Sequence, residues 1–227
     1  MKKFSVILIL IIANIIFFNK QLIKIYCSYK FSNWVEKKVV FDEFKVEYPN
    51  SIFINGLKII NSNTIYYDSI FEAEKIDINF NLKSLLFNEL IIINYLNIEK
   101  PKFFLEVIEK NIKLEESAKN IEITYEDNIG LAKKINENTP DKVWPQKKKD
   151  INFLILRSNI SEGRAFIKIS SMPTSFETLM SDFKFIKIGN HKEHQHYKNV
   201  LKIMLFDIFA SVKDSNLKKI LKKIYNL

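Results

Sequence analysis

Glycine is scarce in this 227-residue chain, which has only four. They are Gly56, Gly130, Gly163 and Gly189, and none belongs to a G-x-G-x-x-G motif, a P-loop or a G-x-S-x-G motif. In those motifs glycine lets the backbone approach a phosphate, or makes the sharp turn that exposes a nucleophile. The sequence therefore lacks the nucleotide-binding and hydrolase signatures that these motifs define.

Histidine is also scarce, and its three residues, His191, His194 and His196, lie close together in the sequence. A nucleophilic triad needs a histidine base beside its nucleophile, and this cluster is far in sequence from any obvious partner. Three neutral imidazoles are suitable ligands for zinc, copper or nickel. The alternative is an exposed loop, in which Lys192 would repel a divalent cation. We expect the loop, so these histidines are only weak candidate metal ligands.

Adjacent carboxylates occur at Glu115 and Glu116 and again at Glu126 and Asp127. Acid and base catalysis of the glycosidase kind needs two carboxylates that face each other across a pocket, and adjacency in a polar segment does not provide this. We therefore predict no catalytic residues, no enzymatic activity and no cofactor.

The chain has a single cysteine, Cys27, so it cannot build a disulfide framework. The bulky side chains of Ile25 and Tyr26 before it are unlike a lipidation site. We expect an unmodified thiol.

Acidic residues are outnumbered, 26 against 35 lysines and arginines, which gives a net charge of +9. The excess is spread through the chain except near the C-terminus, and no nucleic-acid recognition module is recognisable. Dispersed lysines are typical of a solvated surface. We therefore predict no nucleic-acid partner.

The chain has only one long hydrophobic run, residues 4–18, which follows two lysines at the N-terminus. A membrane-spanning helix needs about 20 apolar residues, so the span would have to extend past Lys20 and Lys24, whose side chains can snorkel to the interface. No small-residue cleavage site follows. The run predicts an uncleaved transmembrane signal anchor over residues 1–26, with the bulk of the chain outside the cytoplasm.

Residues 27–190 are predicted to form a β-rich domain, because from Phe44 onward they show the two-residue period of half-buried strands, most clearly over Lys75–Lys83. Asn55-Gly56 is a hairpin signal, and Pro101 marks a strand start or an edge. A polar segment over residues 137–150, interrupted by two prolines, is predicted to be a linker. The pattern indicates an α+β fold with a mostly antiparallel sheet.

Leu90, Ile91, Ile92 and Ile93 form a strand segment that is apolar on both faces. Such a strand is covered on both sides, as in buried sheets. The cover can be a helix, a second sheet or a ligand.

The C-terminal residues 191–227 change to a helical period and predict two amphipathic helices. The second carries lysines on one side: Lys218, Lys219, Lys222 and Lys223. One interpretation is attachment to an anionic membrane surface, to which each lysine contributes about 1 kcal/mol. The other is a helix that caps the sheet and leaves its lysines in water.

Several short strings resemble the N-terminal module of AsmA-like proteins, a family related to TamB. They are Pro49–Ile52, Gly56–Ile59, Ala73–Ile78, Leu82–Leu86, Ile98–Pro101, Ile160–Ile167 and Phe183–Gly189. The resemblance implies a sheet curled around an apolar groove, single-pass attachment to the inner membrane and a periplasmic domain. It also implies phospholipid binding or transfer in outer-membrane biogenesis, and it brings no catalytic residues.

If the apolar face of such a sheet holds lipid, the alternating positions and the doubly apolar strand line the groove. The candidate lining residues are Ile76, Ile78, Phe80, Leu90, Ile91, Ile92, Ile93, Phe103 and Leu105. The predicted partners are a membrane bilayer, phospholipid and a larger envelope protein. The alternative hypothesis is a structural or interaction module of an envelope complex, in which an open sheet edge pairs with the partner by strand addition.

Overall fold

The structure is a computed structural model with a mixed α+β fold, and its twelve described strands form one sheet. It describes residues 21–33, 35, 37–61, 66–87, 90–113, 121–127, 152–190 and 195–225. The sheet therefore confirms the predicted β-rich architecture over these residues. The predicted linker, residues 137–150, lies outside them.

The strands are long in the middle of the sheet and short at its margins. The strands are β1 (Val39–Val40), β2 (Glu43–Glu47), β3 (Ser51–Ile60), β4 (Ser69–Phe80), β5 (Leu90–Glu99), β6 (Lys102–Lys113), β7 (Ile121–Asp127), β8 (Asn152–Ser161), β9 (Arg164–Ile169), β10 (Phe176–Leu179), β11 (Phe183–Gly189) and β12 (Gln195–His196). The helices are α1 (residues 21–33), α2 (Leu82–Phe87), α3 (Tyr197–Ser211) and α4 (Ser215–Tyr225).

The central strands bend along one line, which we call the bend. There β5 passes into β6 and β8 passes into β9, each through a residue with positive φ, Lys100 (49°) and Glu162 (56°). At the same line Gly56 has a φ of 62°, the left-handed conformation that glycine adopts without a Cβ penalty. Asn55-Gly56 therefore lies within β3, and the hairpin predicted there is wrong.

Two central pairs are parallel, which the local pattern does not reveal. Strand β5 pairs with β8, with Leu90 opposite Asn152, and β6 pairs with β9 in the same register. Most other described pairs are antiparallel, including β3 with β4 and β8 with β11. Pro101 is buried where β5 meets β6, so it precedes a strand in the interior of the sheet and marks no edge.

The N-terminal anchor is the main error of the sequence analysis. Among the described residues, no helix is both long enough and apolar enough to cross a membrane. This finding overturns the transmembrane helix predicted over residues 1–26 and the single-pass inner-membrane location derived from it. Residues 1–20 of that segment lie outside the described part of the chain.

Helix α1, which includes the end of the predicted anchor, is bound to the margin of the sheet. The Ser32 hydroxyl accepts a hydrogen bond from the Val39 N–H at 2.7 Å, and Ser28 donates to the Val39 carbonyl. The Lys24 ammonium donates to the carbonyl of Asp42 at 2.6 Å. These polar contacts explain why α1 carries serine and lysine among its apolar residues.

Two hydrophobic clusters form the core, and both lie on one face of the sheet. The first contains Ile54 and Ile76 from β3 and β4, and Phe31 of α1 packs against it. The second contains Ile167 of β9 together with residues of α3 and α4. Helix α1 therefore covers one end of this apolar face, and helices α3 and α4 cover the opposite end.

Candidate functional site

The apolar face is built from rows of side chains that run across the strands. In one row, register places Phe44, Ile54, Ile76, Ile98, Ile160 and Phe183 on six neighbouring strands. A second row, two residues along each strand, contains Ile52, Ile78, Leu96, Ser158 and Phe185. Side chains two residues apart share a face, so the two rows form one apolar surface.

Helices α3 and α4 fill the end of this surface that lies over β8, β9 and β11. Met204 and Ile208 of α3 are buried there, as are Leu217 and Leu221 of α4. Asp214 caps α4, because its carboxylate accepts a hydrogen bond from the Leu217 N–H at 2.7 Å. This end is a packed protein core.

The middle of the surface is less covered. Five apolar side chains there are half-buried, and we call them the central band: Phe71, Ile78, Leu96, Ile98 and Phe103. The rings of Phe71 and Phe103 meet edge to face, with centroids 4.9 Å apart. Ile98 packs against both core clusters. The central band thus occupies the gap between the two helix-covered ends.

The predicted groove residues divide into three groups. Ile76, Phe80 and Leu105 are buried. Ile78 and Phe103 belong to the central band, which also includes three residues that the sequence analysis missed. The apolar alternation at Leu96 and Ile98 could have identified these two residues. Their central position could not be predicted from it, because that position depends on the parallel pairing of β5 with β8.

The third group is the doubly apolar segment Leu90, Ile91, Ile92 and Ile93, which is half-buried. One side of it carries α2, whose Ser84 hydroxyl accepts a hydrogen bond from the Ile92 N–H at 2.9 Å. On the next strand Phe153 lies opposite Ile91, and its ring centroid is 5.9 Å from that of Tyr197. Helix α2 therefore supplies part of the cover that this segment was predicted to need.

The basic helix α4 uses its apolar stripe within the protein. Leu217, Leu221 and Tyr225 are buried, while Lys219 and Lys222 are exposed. The Lys218 ammonium donates to the Ala210 carbonyl at 3.0 Å. The side chain of Lys223 lies outside the described part of the structure. The apolar side of α4 therefore faces the core and its described lysines lie at the surface or bind the preceding helix.

The candidate metal ligands are only partly described. His191 and His194 lie outside the described residues, and the His196 ring stacks on Tyr197 with centroids 4.7 Å apart. No group of three potential metal ligands occurs among the residues that the structure describes.

A buried carboxylate, Glu106, lies on the opposite, polar face of the sheet. It is 1% exposed and accepts hydrogen bonds from the backbone N–H groups of Tyr66 and Tyr67. Burial raises the pKa of the Tyr67 hydroxyl, and the charge of Glu106 adds to the rise. Phe104 and Phe166 stack beside it, with centroids 5.1 Å apart. Glu106 therefore fixes the segment before β4, a role that no sequence motif indicated.

Elsewhere the polar face carries ion pairs within and between strands. The Lys75 ammonium lies 2.9 Å from Asp77 and 3.5 Å from Glu99. The hydrogen bond to Asp77 raises the pKa of Lys75, and the Glu99 carboxylate adds to this. Such exposed pairs contribute little to stability, so this face behaves as a solvated surface.

Comparison with known proteins gives no family. No family model matches the chain, and neither the curated proteins nor the solved structures give a match. The resemblance to AsmA-like proteins stays a prediction, and function has to be argued from the geometry above.

Proposed function

We propose that this protein binds phospholipid through an acyl chain laid along the central band. The observation that supports the proposal is the continuous apolar surface whose two ends are covered by helices while Ile78, Leu96 and Ile98 keep part of their surface exposed. Each methylene removed from water contributes about 0.8 kcal/mol, so a chain that covers several of these residues binds measurably.

The geometry favours a flexible chain over a rigid ligand. The central band crosses β4, β5 and β6, and Phe71 and Phe103 lie beyond the bend from Ile78 and Leu96. A ligand in contact with both parts has to follow the bend. Acyl chains do so at low cost because their torsions change easily.

Displacement of a dansyl-labelled fatty acid by added phospholipid tests the proposal with the full chain. Leu96→Trp fills the central band without removing apolar surface, and Ile78→Asn introduces an amide there. We expect each change to weaken probe binding by about tenfold or more, equivalent to about 1.4 kcal/mol.

Ile186→Asn is the matched control, since Ile186 lies on β11 and is 66% exposed. It should leave probe binding unchanged. Thermal unfolding of each variant establishes that the fold persists. If Leu96→Trp binds the probe as tightly as the unmodified protein does, the central band is ordinary core and the proposal fails.

A second candidate function is an interaction module, favoured by the margin of the sheet at β2. Among the described strands β2 pairs only with β3. Val46 is 54% exposed and Tyr48, just after the strand, is 91% exposed. An open edge of this kind accepts a further strand from a partner.

Photo-crosslinking tests this second function. A photoreactive residue in place of Tyr48 should trap one defined protein in cells. The same residue in place of Tyr95, which lies on central strand β5, should not trap it. Equal products at both positions, or none at Tyr48, would count against an interaction at this edge.

A further inference from the structure

A groove of about 760 Å³ runs along the bend. Four of its lining residues, Lys58, Glu72, Lys102 and Arg164, form one register row across β3, β4, β6 and β9. Their neighbours in each strand belong to the apolar face, so these four side chains point to the polar face. The groove and the central band therefore lie on opposite faces of the sheet.

Most of the cations in the groove have a carboxylate partner. Arg164 lies 2.9 Å from Glu177 and Lys100 lies 3.0 Å from Glu74. Lys58 lies 3.6 Å from Glu72, and the same Glu72 oxygen accepts a hydrogen bond from the Ser69 hydroxyl at 2.9 Å.

Lys102 differs from the other groove cations. It is exposed, and among the described residues its ammonium has no ion pair or hydrogen bond. Register places Lys102 between Glu72 on β4 and Arg164 on β9, about 4.8 Å along the sheet from each. The Glu72 carboxylate is already bound by Lys58 and Ser69. Like charges directly opposite each other destabilise a sheet. An anion between Lys102 and Arg164 would replace this repulsion with two attractive contacts.

The groove is large enough to hold a small molecule. The groove volume falls in the range of about 300 to 1,000 Å³ that is typical of small-molecule sites.

We propose that this groove binds the phosphate group of an organic phosphate between Lys102 and Arg164. The planar guanidinium of Arg164 can donate to two phosphate oxygens while it keeps its carboxylate partner, and Lys102 supplies a point charge. The volume leaves room for the organic part. The phosphate can come from a lipid headgroup or from a soluble metabolite, since both present the same oxygens. This site does not depend on acyl-chain binding at the central band.

Titration of the isotope-labelled full chain tests the site by NMR. The two probes are inorganic phosphate and dihexanoyl phosphatidic acid, a lipid short enough to stay monomeric. We expect the backbone amide signals of Lys102 and Gly163 to shift with a saturable dependence. Lys102→Gln should weaken binding by about tenfold, equivalent to about 1.4 kcal/mol.

Lys184→Gln is the matched control, because it removes the same charge from an exposed position of β11 outside the groove. It should bind the probes as the unmodified protein does. Saturation by both probes supports a soluble phosphate, and saturation by the lipid alone supports a headgroup. Binding of neither probe, or equal losses from the two substitutions, would overturn the proposal. Fatty-acid binding at the central band is measured separately, so the two proposals can fail independently.

Discussion

Lys100 and Glu162 occupy equivalent positions on two neighbouring parallel strands, and both have positive φ. Backbone hydrogen bonds connect the two strands on either side of these residues. The Lys100 N–H donates to the Ser161 carbonyl at 2.9 Å, and the Arg164 N–H donates to the Pro101 carbonyl at 2.8 Å. The two strands therefore bend together without losing the hydrogen bonds between them.

The left-handed backbone at Glu162 predicts that a valine variant is less stable than a glycine variant there, the reverse of the order in a regular strand. A β-branched side chain is a steric outlier at positive φ, so Glu162→Val should be less stable than Glu162→Gly by about 1 to 2 kcal/mol. At Lys184, an exposed position of regular strand β11, glycine should be the less stable by about 0.5 to 1 kcal/mol. Urea unfolding of the four variants measures both differences. The same order at both positions would contradict the bend geometry.

The packing of α4 predicts that its apolar stripe is structural. Leu221 is fully buried, so Leu221→Ala should lower the free energy of unfolding by about 2 to 5 kcal/mol. Leu179→Ala, at a side chain that is 68% exposed, should change it by less than about 0.5 kcal/mol. Denaturant unfolding provides the comparison. A mild effect at Leu221 would show that α4 is not docked on the sheet.

The position of α1 predicts the reactivity of Cys27, the only thiol in the chain. Cys27 is half-buried against the first core cluster, and burial raises its pKa from the ordinary value. The thiolate is the nucleophile, so near pH 8 iodoacetamide should react more slowly with the native chain than with the unfolded chain. Raising the pH through the native pKa should remove the part of this difference that comes from ionisation.

Phe31→Ala, which weakens the packing of α1, should bring the native alkylation rate toward the unfolded one. Tyr29→Ala provides the control, because Tyr29 is exposed on the same helix. Equal alkylation rates in the native and unfolded protein would mean that α1 does not pack on the sheet.

Local patterns in the sequence predicted much of this fold. The alternation over Lys75–Lys83 corresponds to the second half of β4 and the start of α2, and the two helices predicted within residues 191–227 correspond to α3 and α4. Both follow from the period of side chains along one element. Such a period does not depend on distant residues, which is why it can be identified in a single sequence.

Features that depend on distant residues were missed. Asn55-Gly56 suggested a hairpin because glycine with a positive φ is typical of a tight turn. A strand bend uses the same backbone conformation, and only the pairing with β4 on both sides of Gly56 shows that the chain bends there. The central position of Leu96 depends on β8, its parallel neighbour. The anchor prediction rested on hydropathy, flanking lysines and the lack of a cleavage site, none of which contains information about the contacts of α1 with Val39 and Asp42.

The parallel pairing of β5 and β8 also affects synthesis of the chain. Leu90 pairs with Asn152, which is translated 62 residues later. At ribosomal rates of about 5 to 20 residues per second, this delay is roughly 3 to 12 s. Until then the apolar segment that begins at Leu90 lacks its second neighbour and presents an open edge, the kind of surface on which nascent chains aggregate or recruit chaperones.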